Sequence, residues 1–400
     1  MSASFDVLHN AETSDLRSRA SALGVDGTEQ MRRPQLIFTI LTAESRADGH
    51  EFGCGVLEIH GEGFGFLRNV RNNFLPGQDD IYVSQSQIRR FNLKTGDTVI
   101  GQVRPPKEGE RYTALLRVES VNGEASGHEV PSFDTLTAIY PDDRIDLSGN
   151  PILGALDKAA PMGLGQRGIL VAPPRTGRVE LLRLLADQLT REEDLLCTVF
   201  LVGDRPEEIH EWRNASQAEV VATPFDEPPG RHVQVADMVF ERARRMAERG
   251  EDAILLVDNF TRLLRFCQAE VQPTGRDIGG VDTAAMHRIR RYLGGARALE
   301  EGGSLTIIAV VSEPESRTGT ALLDDLRDVV NWEVTLTRKL ADRGLRPPID
   351  IHQSGTRREE RLFSDEQELA KRAKWRTTLS GDPEKDCVAL IADCASAGSQ

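Results

Sequence analysis

The stretch Arg167-Gly-Ile-Leu-Val-Ala-Pro-Pro-Arg-Thr-Gly-Arg-Val-Glu180 constrains the fold more than any other part of the chain. It reads as a short apolar strand, a tight turn and the start of a helix. Gly168 to Ala172 is the strand and Glu180 to Gln188 the helix. Further apolar runs follow at Leu195 to Val202, Ala253 to Asp258 and Leu305 to Val311, with an amphipathic helix over Val233 to Ala247. Apolar strands separated by helices signify a mostly parallel sheet covered on both faces. The stretch also has the outline of a phosphate loop, G-x-x-x-x-G-K-[ST]. In such a loop backbone N–H groups and a helix N-terminus surround an anion, a lysine reaches the terminal phosphates and a hydroxyl holds Mg²⁺. Here Ala172 opens the pattern and Gly177 keeps the turn, but Arg178 stands in the lysine position and Val179 in the hydroxyl position.

With 400 residues the chain has length for more than one domain. No apolar run approaches the roughly 18–20 residues of a membrane span, and Met1 to Asn10 lacks the regions of a signal peptide. The five cysteines are scattered without C-x-x-C spacing, which predicts a reducing cytoplasm and neither a disulfide framework nor a zinc site. A net charge of −14 opposes nucleic-acid binding as a whole-chain property, yet a local basic channel can still bind phosphates.

Along the chain, residues 1–12 show little periodicity and are expected to form a disordered arm. Residues 13–50 carry helical spacing, with Leu16, Ala20 and Leu23 on one face and Leu36, Ile37, Ile40 and Leu41 on another. Residues 51–122 change to short strands with Gly-rich turns, the texture of a small barrel of the oligonucleotide-binding (OB) type. Residues 123–131 are polar and Gly-containing, a linker, and 132–400 form the α/β domain. The expected fold is therefore multidomain α+β: a small helical subdomain, an OB-fold barrel, and a RecA-like phosphate-loop domain.

Two groups of residues carry chemistry. In the barrel, Phe64 and Phe66 lie two apart on one strand face beside Arg68, a platform on which bases of a single strand can stack. Asp80, Tyr82, Glu110 and Tyr112 add carboxylate acceptors and further rings. In the large domain, Asp258 ends an apolar run where a carboxylate orients Mg²⁺. Asp204 ends another, placed to activate water, with Arg205 next to it. Gln272 to Gly280 is a Gly-rich loop with one arginine, and Ser354 to Arg357 a polar turn whose arginine can act on a neighbouring subunit's nucleotide.

Taken together these residues resemble the bacterial transcription termination factor Rho family, from about Arg33 to Leu362. The likeness is dense in Gly55 to Ile59, Gly63 to Arg68, Ile88 to Leu93, Arg104 to Tyr112, Phe225 to Pro228, Arg231 to Val235 and Ser354 to Arg357. The resemblance implies a hexameric RNA-dependent ATPase and helicase using ATP and Mg²⁺ in the cytoplasm. It makes Phe64, Phe66, Arg68, Asp80, Tyr82, Glu110 and Tyr112 the primary RNA site. It makes the loop with Arg276, Gly279 and Gly280, together with Arg317, the grip in the central channel, both arginines standing where the family generally has lysine. Gly163, Gly165, Gln166, Arg167 and Gly168 fall on the segment that flanks the nucleotide. Arg175, Thr176, Gly177, Arg178, Val179 and Glu180 fall on the phosphate loop, and Arg357 on the finger between subunits.

The departures gather at the nucleotide. The family reads A-P-P-K-A-G-K-T where this chain has Ala172 to Val179, and D-E-R-P-E-E where it has Gly203 to Glu208. Arginine keeps charge but not a compact ammonium, valine removes a metal ligand, and shortening glutamate to Asp204 withdraws the base by roughly 1 Å, enough to cost about 10²-fold. The sequence thus predicts a Rho paralogue that binds single-stranded RNA and hydrolyses ATP weakly or not at all. It would occupy RNA, alone as a homo-hexamer or in a mixed ring with an active relative, with RNA polymerase or its elongation complex as a further partner and no membrane. The alternative is a fully active termination helicase in which Arg178 and Asp204 have adapted to each other.

Overall fold

A computed structural model describes residues 5–31, 33–47, 51–125, 131–192 and 194–397. The chain divides into two compact units, Met1–Pro131 with Asp237–Arg245, and Ser132–Ala236 with Met246–Gln400. Among the described residues no helix is long and apolar enough to cross a membrane.

The first unit starts earlier than its sequence pattern indicates. Residues 1–4 lie outside the described residues, but Phe5–His9 is helical, and Phe5 and Leu8 are buried with Leu16, Ala20, Leu36, Ile37, Ile40 and Leu41. The arm expected to be disordered contributes two apolar side chains three positions apart, enough to bury one helical face. Leu23 leaves the expected face because its helix, Thr13–Ala22, ends before it, and its side chain is exposed. The barrel follows as β1 (Glu51–Ile59), β2 (Gly65–Arg68), β3 (Ile81–Val83), β4 (Thr98–Arg104) and β5 (Thr113–Val121). Strand order β3-β2-β1-β4-β5 is closed by a parallel pairing of β3 with β5. Leu57, Leu67, Ile81, Val83, Val99, Leu115 and Val118 fill its interior. In the segment expected to be a linker, Glu124–Ala125 instead pairs back onto β5, and 126–130 lie outside the described residues.

The second unit is built on a nine-stranded sheet, in which Arg297–Leu299 and Ala138–Ile139 pair antiparallel at the side and the main run is β6 (Arg167–Val171), β7 (Leu195–Asp204), β8 (Glu219–Pro224), β9 (Asp252–Asp258), β10 (Ser304–Val311), β11 (Trp332–Thr335) and β12 (Gly355–Thr356). Their order is β8-β7-β9-β10-β6-β11-β12. All neighbours are parallel except β12, which runs against β11. The inner strands β9 and β10 are almost wholly buried, which accounts for their unbroken apolar sequence. Helix Arg178–Leu189 packs on the sheet through Leu181, Leu182, Leu185, Ala186 and Leu189, one helical stripe.

Candidate functional site

Parallel register decides what meets what in the second unit. Val171 of β6 is level with Val311, Ala309 with Val257, and Asp258 with Leu201 of β7. The ends of β6, β9 and β7 therefore share one edge of the sheet, where open α/β sheets bind ligands. At that edge Gly177 adopts φ 78° and caps helix Arg178–Leu189, so the turn presents the helix N-terminus. Thr176 is buried, its hydroxyl donating to the Pro173 carbonyl at 2.7 Å. Arg175 is exposed at φ 65°. Arg178 Nε donates to Asp258 Oδ2 at 3.1 Å, with the arginine side chain 14% and the aspartate 1% exposed. Val179 packs against the apolar core, and Glu180 forms an ion pair with Arg346 at 3.6 Å. Arg175, Thr176, Gly177 and Glu180 border a cavity of about 100 Å³ floored by Leu181, Leu336 and Pro347.

Asp204 is buried and its Oδ1 accepts from Arg262 Nη1 at 3.1 Å. The same guanidinium donates to the carbonyls of Val202 and Gly203, fixing the strand end. Arg205 is exposed and pairs with Glu208 at 3.7 Å. The Glu208 carboxyl is pushed above its ordinary value, by burial first and then by the neighbouring Asp204. Gly203 takes φ 59°, and a Cβ there would lie 2.9 Å from Phe266, whose ring stacks on His232 at 3.6 Å. His232 is bonded to the Thr223 hydroxyl and the Glu227 carbonyl, and burial pushes its pKa down, so it is a neutral prop.

Gly163, Gly165, Gln166, Arg167 and Gly168 lie elsewhere. They precede or open β6, so three to five of its residues separate them from the phosphate turn, about 10–17 Å at ~3.3 Å per residue. Arg167 is anchored there, donating to the carbonyls of Val329 and Ala296. Arg357 is at that end too, because its N–H donates to Asn331, whose own N–H donates to Arg167, and its side chain is exposed. The loop of Arg276, Gly279 and Gly280 is brought to Arg317: a Cβ on Gly280 would lie 3.6 Å from that guanidinium. Asp277, which the motif does not single out, folds the loop by accepting from Gly280 N–H at 2.9 Å.

In the barrel, Phe64, Phe66, Tyr82 and Tyr112 meet as one half-buried aromatic face. Ring centroids are 5.8 Å apart for Phe64 and Phe66, 5.9 Å for Phe66 and Tyr82, and 4.9 Å for Phe66 and Tyr112. His60 joins it, stacked on Phe64 at 5.3 Å, a member that no spacing in the sequence marks. Arg68 and Asp80 are not free contacts. Arg68 is 4% and Asp80 3% exposed, and the two are ion-paired. Arg68 also bonds Glu58 at 2.6 Å and lies 4.9 Å from the Phe66 ring. Glu110 is clamped by Arg104 at 2.5 and 2.9 Å, and those bonds, with one from Lys107 N–H, draw its pKa down to about 2.

These oxygens do not fit a resident Mg²⁺. Val179 supplies none, Thr176 is turned to a carbonyl, and Asp258 already holds a guanidinium, so the one or two protein oxygens that Mg²⁺ takes beside phosphate and water are missing or engaged. The turn, the helix N-terminus and two arginines do suit phosphate.

Three families match successive parts of the chain: the Rho termination factor N-terminal domain over residues 8–49, the Rho termination factor RNA-binding domain over 53–126, and the nucleotide-binding domain of the ATP synthase alpha/beta family over 153–356. Transcription termination factor Rho of Thermotoga maritima is 42% identical, covering 97% of this chain and 92% of its own. Those of Salmonella typhimurium and Escherichia coli K12 are each 43% identical, covering 91% of this chain and 89% of theirs. A solved ATPase of the type III secretion system of pathogenic bacteria, 21% identical, covers 73% of this chain and 90% of its own with a TM-score of 0.54, a likeness of fold.

Proposed function

The chain belongs to the transcription termination factor Rho family, and from that premise we propose that it is an RNA-binding ring subunit of transcription termination or its regulation that holds ATP but hydrolyses it slowly or not at all. Single-stranded RNA stacks on Phe64, Phe66, Tyr82 and Tyr112, each stacked base contributing about 1–3 kcal/mol. Glu110 supplies an acceptor at the rim, while Arg68 and Asp80 hold the platform from behind. Arg276, Gly279, Gly280 and Arg317 form a second grip on the backbone. The phosphates of ATP rest on the N–H groups of Thr176 to Val179, with Arg175 and Arg178 supplying charge. Arg357 is at the far end of the sheet from its own phosphate turn, so it serves a neighbouring copy. That favours a homo-hexamer or a mixed ring with a Rho relative. An elongating RNA polymerase is the partner on which such a ring acts.

One observation carries the slow-hydrolysis reading: the phosphate-loop cation is a guanidinium tied through Nε to Asp258, 3.1 Å away, so the carboxylate is not free to orient a metal. Asp204 supports it, since its Oδ1 is taken by Arg262. A second reading, a working termination ATPase, draws on Asp258 standing at the end of its strand.

Turnover of ATP with and without pyrimidine-rich RNA tests the proposal. Wild-type turnover is expected to stay far below the order of 1 s⁻¹ with RNA present. Arg178→Lys, Val179→Thr and Asp204→Glu together are expected to raise it by about 10²-fold or more. RNA-stimulated turnover on the order of 1–10 s⁻¹ from the wild type, or no gain from the triple variant, favours the second reading.

A further inference from the structure

We propose that Arg178 takes the place of the magnesium ion, so that this site binds a nucleoside di- or triphosphate through its phosphates without a divalent cation. This rests on the reading that the turn Thr176 to Arg178 holds nucleotide phosphate, and it concerns binding, not turnover.

The oxygen donors of the site have been dismantled one by one. Position 179 is a valine packed against the core. The loop's hydroxyl, on Thr176, is buried and committed to the Pro173 carbonyl. What is left is Asp258, which ends β9 at 1% exposure, with Oδ2 bonded to Arg178 Nε. Its other oxygen, Oδ1, is buried and has no hydrogen-bond partner among the described residues. At a phosphate site Mg²⁺ takes one or two protein oxygens beside phosphate and water, and here the loop hydroxyl is missing and the carboxylate already holds a guanidinium.

Charge points the same way. The carboxylate that would attract a cation is neutralised by a guanidinium that stays protonated at any working pH. A divalent ion entering beside it meets the repulsion of that guanidinium. A polyphosphate meets the reverse, an N-terminal helix end and arginines at 175 and 178. Arg178 uses Nε on Asp258, and its Nη1 and Nη2 carry no hydrogen bond to another described residue. Those terminal nitrogens form the fork that bonds a phosphate's oxygens in parallel. A metal in this position joins an acidic side chain to the phosphates. The guanidinium joins the same two partners from its two ends, and it cannot dissociate.

The test is calorimetric titration of the full chain with ADP, once with millimolar Mg²⁺ and once with EDTA. The two dissociation constants are expected to agree within about twofold. Restoring Arg178→Lys and Val179→Thr together frees Asp258 and returns a hydroxyl, and ADP binding should then tighten by about tenfold or more on adding Mg²⁺. Wild-type binding that is about tenfold tighter with Mg²⁺ than with EDTA overturns the proposal. So does a double variant that remains indifferent to the metal, or the absence of ADP binding in both buffers. ADP is not turned over, so these outcomes are independent of the ATPase rates that decide between a slow and a working enzyme.

Discussion

Each unit of this protein buries an arginine against a carboxylate, and the two pairs do opposite things. In the barrel, Arg68 with Asp80 and Glu58 lies behind Phe66 and leaves Phe64, Phe66, Tyr82 and Tyr112 presented as a face. In the α/β unit, Arg178 with Asp258 lies on the functional edge, where phosphate and metal would be. The first pair props a site and the second fills one. The same charged residues thus preserve one ligand surface and convert another, depending on whether the bond lies beneath the working atoms or among them.

The sharpest way to break this contrast is to remove each arginine. Arg68→Ala removes the guanidinium shared by Asp80 at 3% and Glu58 at 14% exposure, so a loss of about 3–5 kcal/mol in stability is expected. Arg178→Ala leaves a single carboxylate, Asp258, without its guanidinium rather than two, and a loss of about 2 kcal/mol is expected. Scanning calorimetry of the full chain reads both. A larger loss at Arg178 than at Arg68 would mean that the nucleotide-site pair is the structural prop and the barrel pair is not.

A smaller effect tests the presented face directly. Phe66→Ala should weaken binding of a pyrimidine-rich RNA by about 1–3 kcal/mol, roughly 5- to 150-fold, because Phe66 touches all four of the other rings. ADP affinity should not move. Filter binding of the RNA settles it, and unchanged RNA affinity would demote the aromatic cluster to core.

How far these sites can be read from sequence depends on the kind of contact. Phe64 and Phe66 are legible because a two-residue spacing fixes a strand face, and Asp204 and Asp258 because carboxylates at the ends of parallel apolar strands share an edge. Tyr112 joins the aromatic face through the β3–β5 closure of the barrel, and His60 through the turn between β1 and β2, where its N–H donates to the Phe64 carbonyl. Arg68 looks like an exposed partner for RNA until its strand neighbours supply two acids. Gly163 to Gly168 mislead in the other direction: adjacency in sequence to the phosphate turn suggests contact with it, and a whole strand intervenes. Gly163 and Gly165 are small because Leu362 and Ala298 crowd them, their added Cβ atoms lying 2.5 and 2.2 Å away.

The smallest expected effect concerns a departure that looks like a catalytic loss and has a packing origin. The family carries an aspartate where this chain has Gly203. A side chain there would start 2.9 Å from Cε2 and 3.0 Å from Cζ of Phe266, at φ 59°. Gly203→Asp is therefore expected to cost about 1–3 kcal/mol by overpacking. Phe266 cannot swing aside freely, since it stacks on His232, which is held at both ring nitrogens. Phe266→Ala alone loses that stacking but opens the space, so the double variant should be more stable than the sum of the two single losses by about 1 kcal/mol. Additive losses in that cycle would separate Gly203 from Phe266. A positive coupling would mean that the segment next to Asp204 was repacked as a unit. Restoring Asp204→Glu for turnover would then gain most when Phe266 is also reduced, because only then can the strand end return to the shape that the longer carboxylate needs.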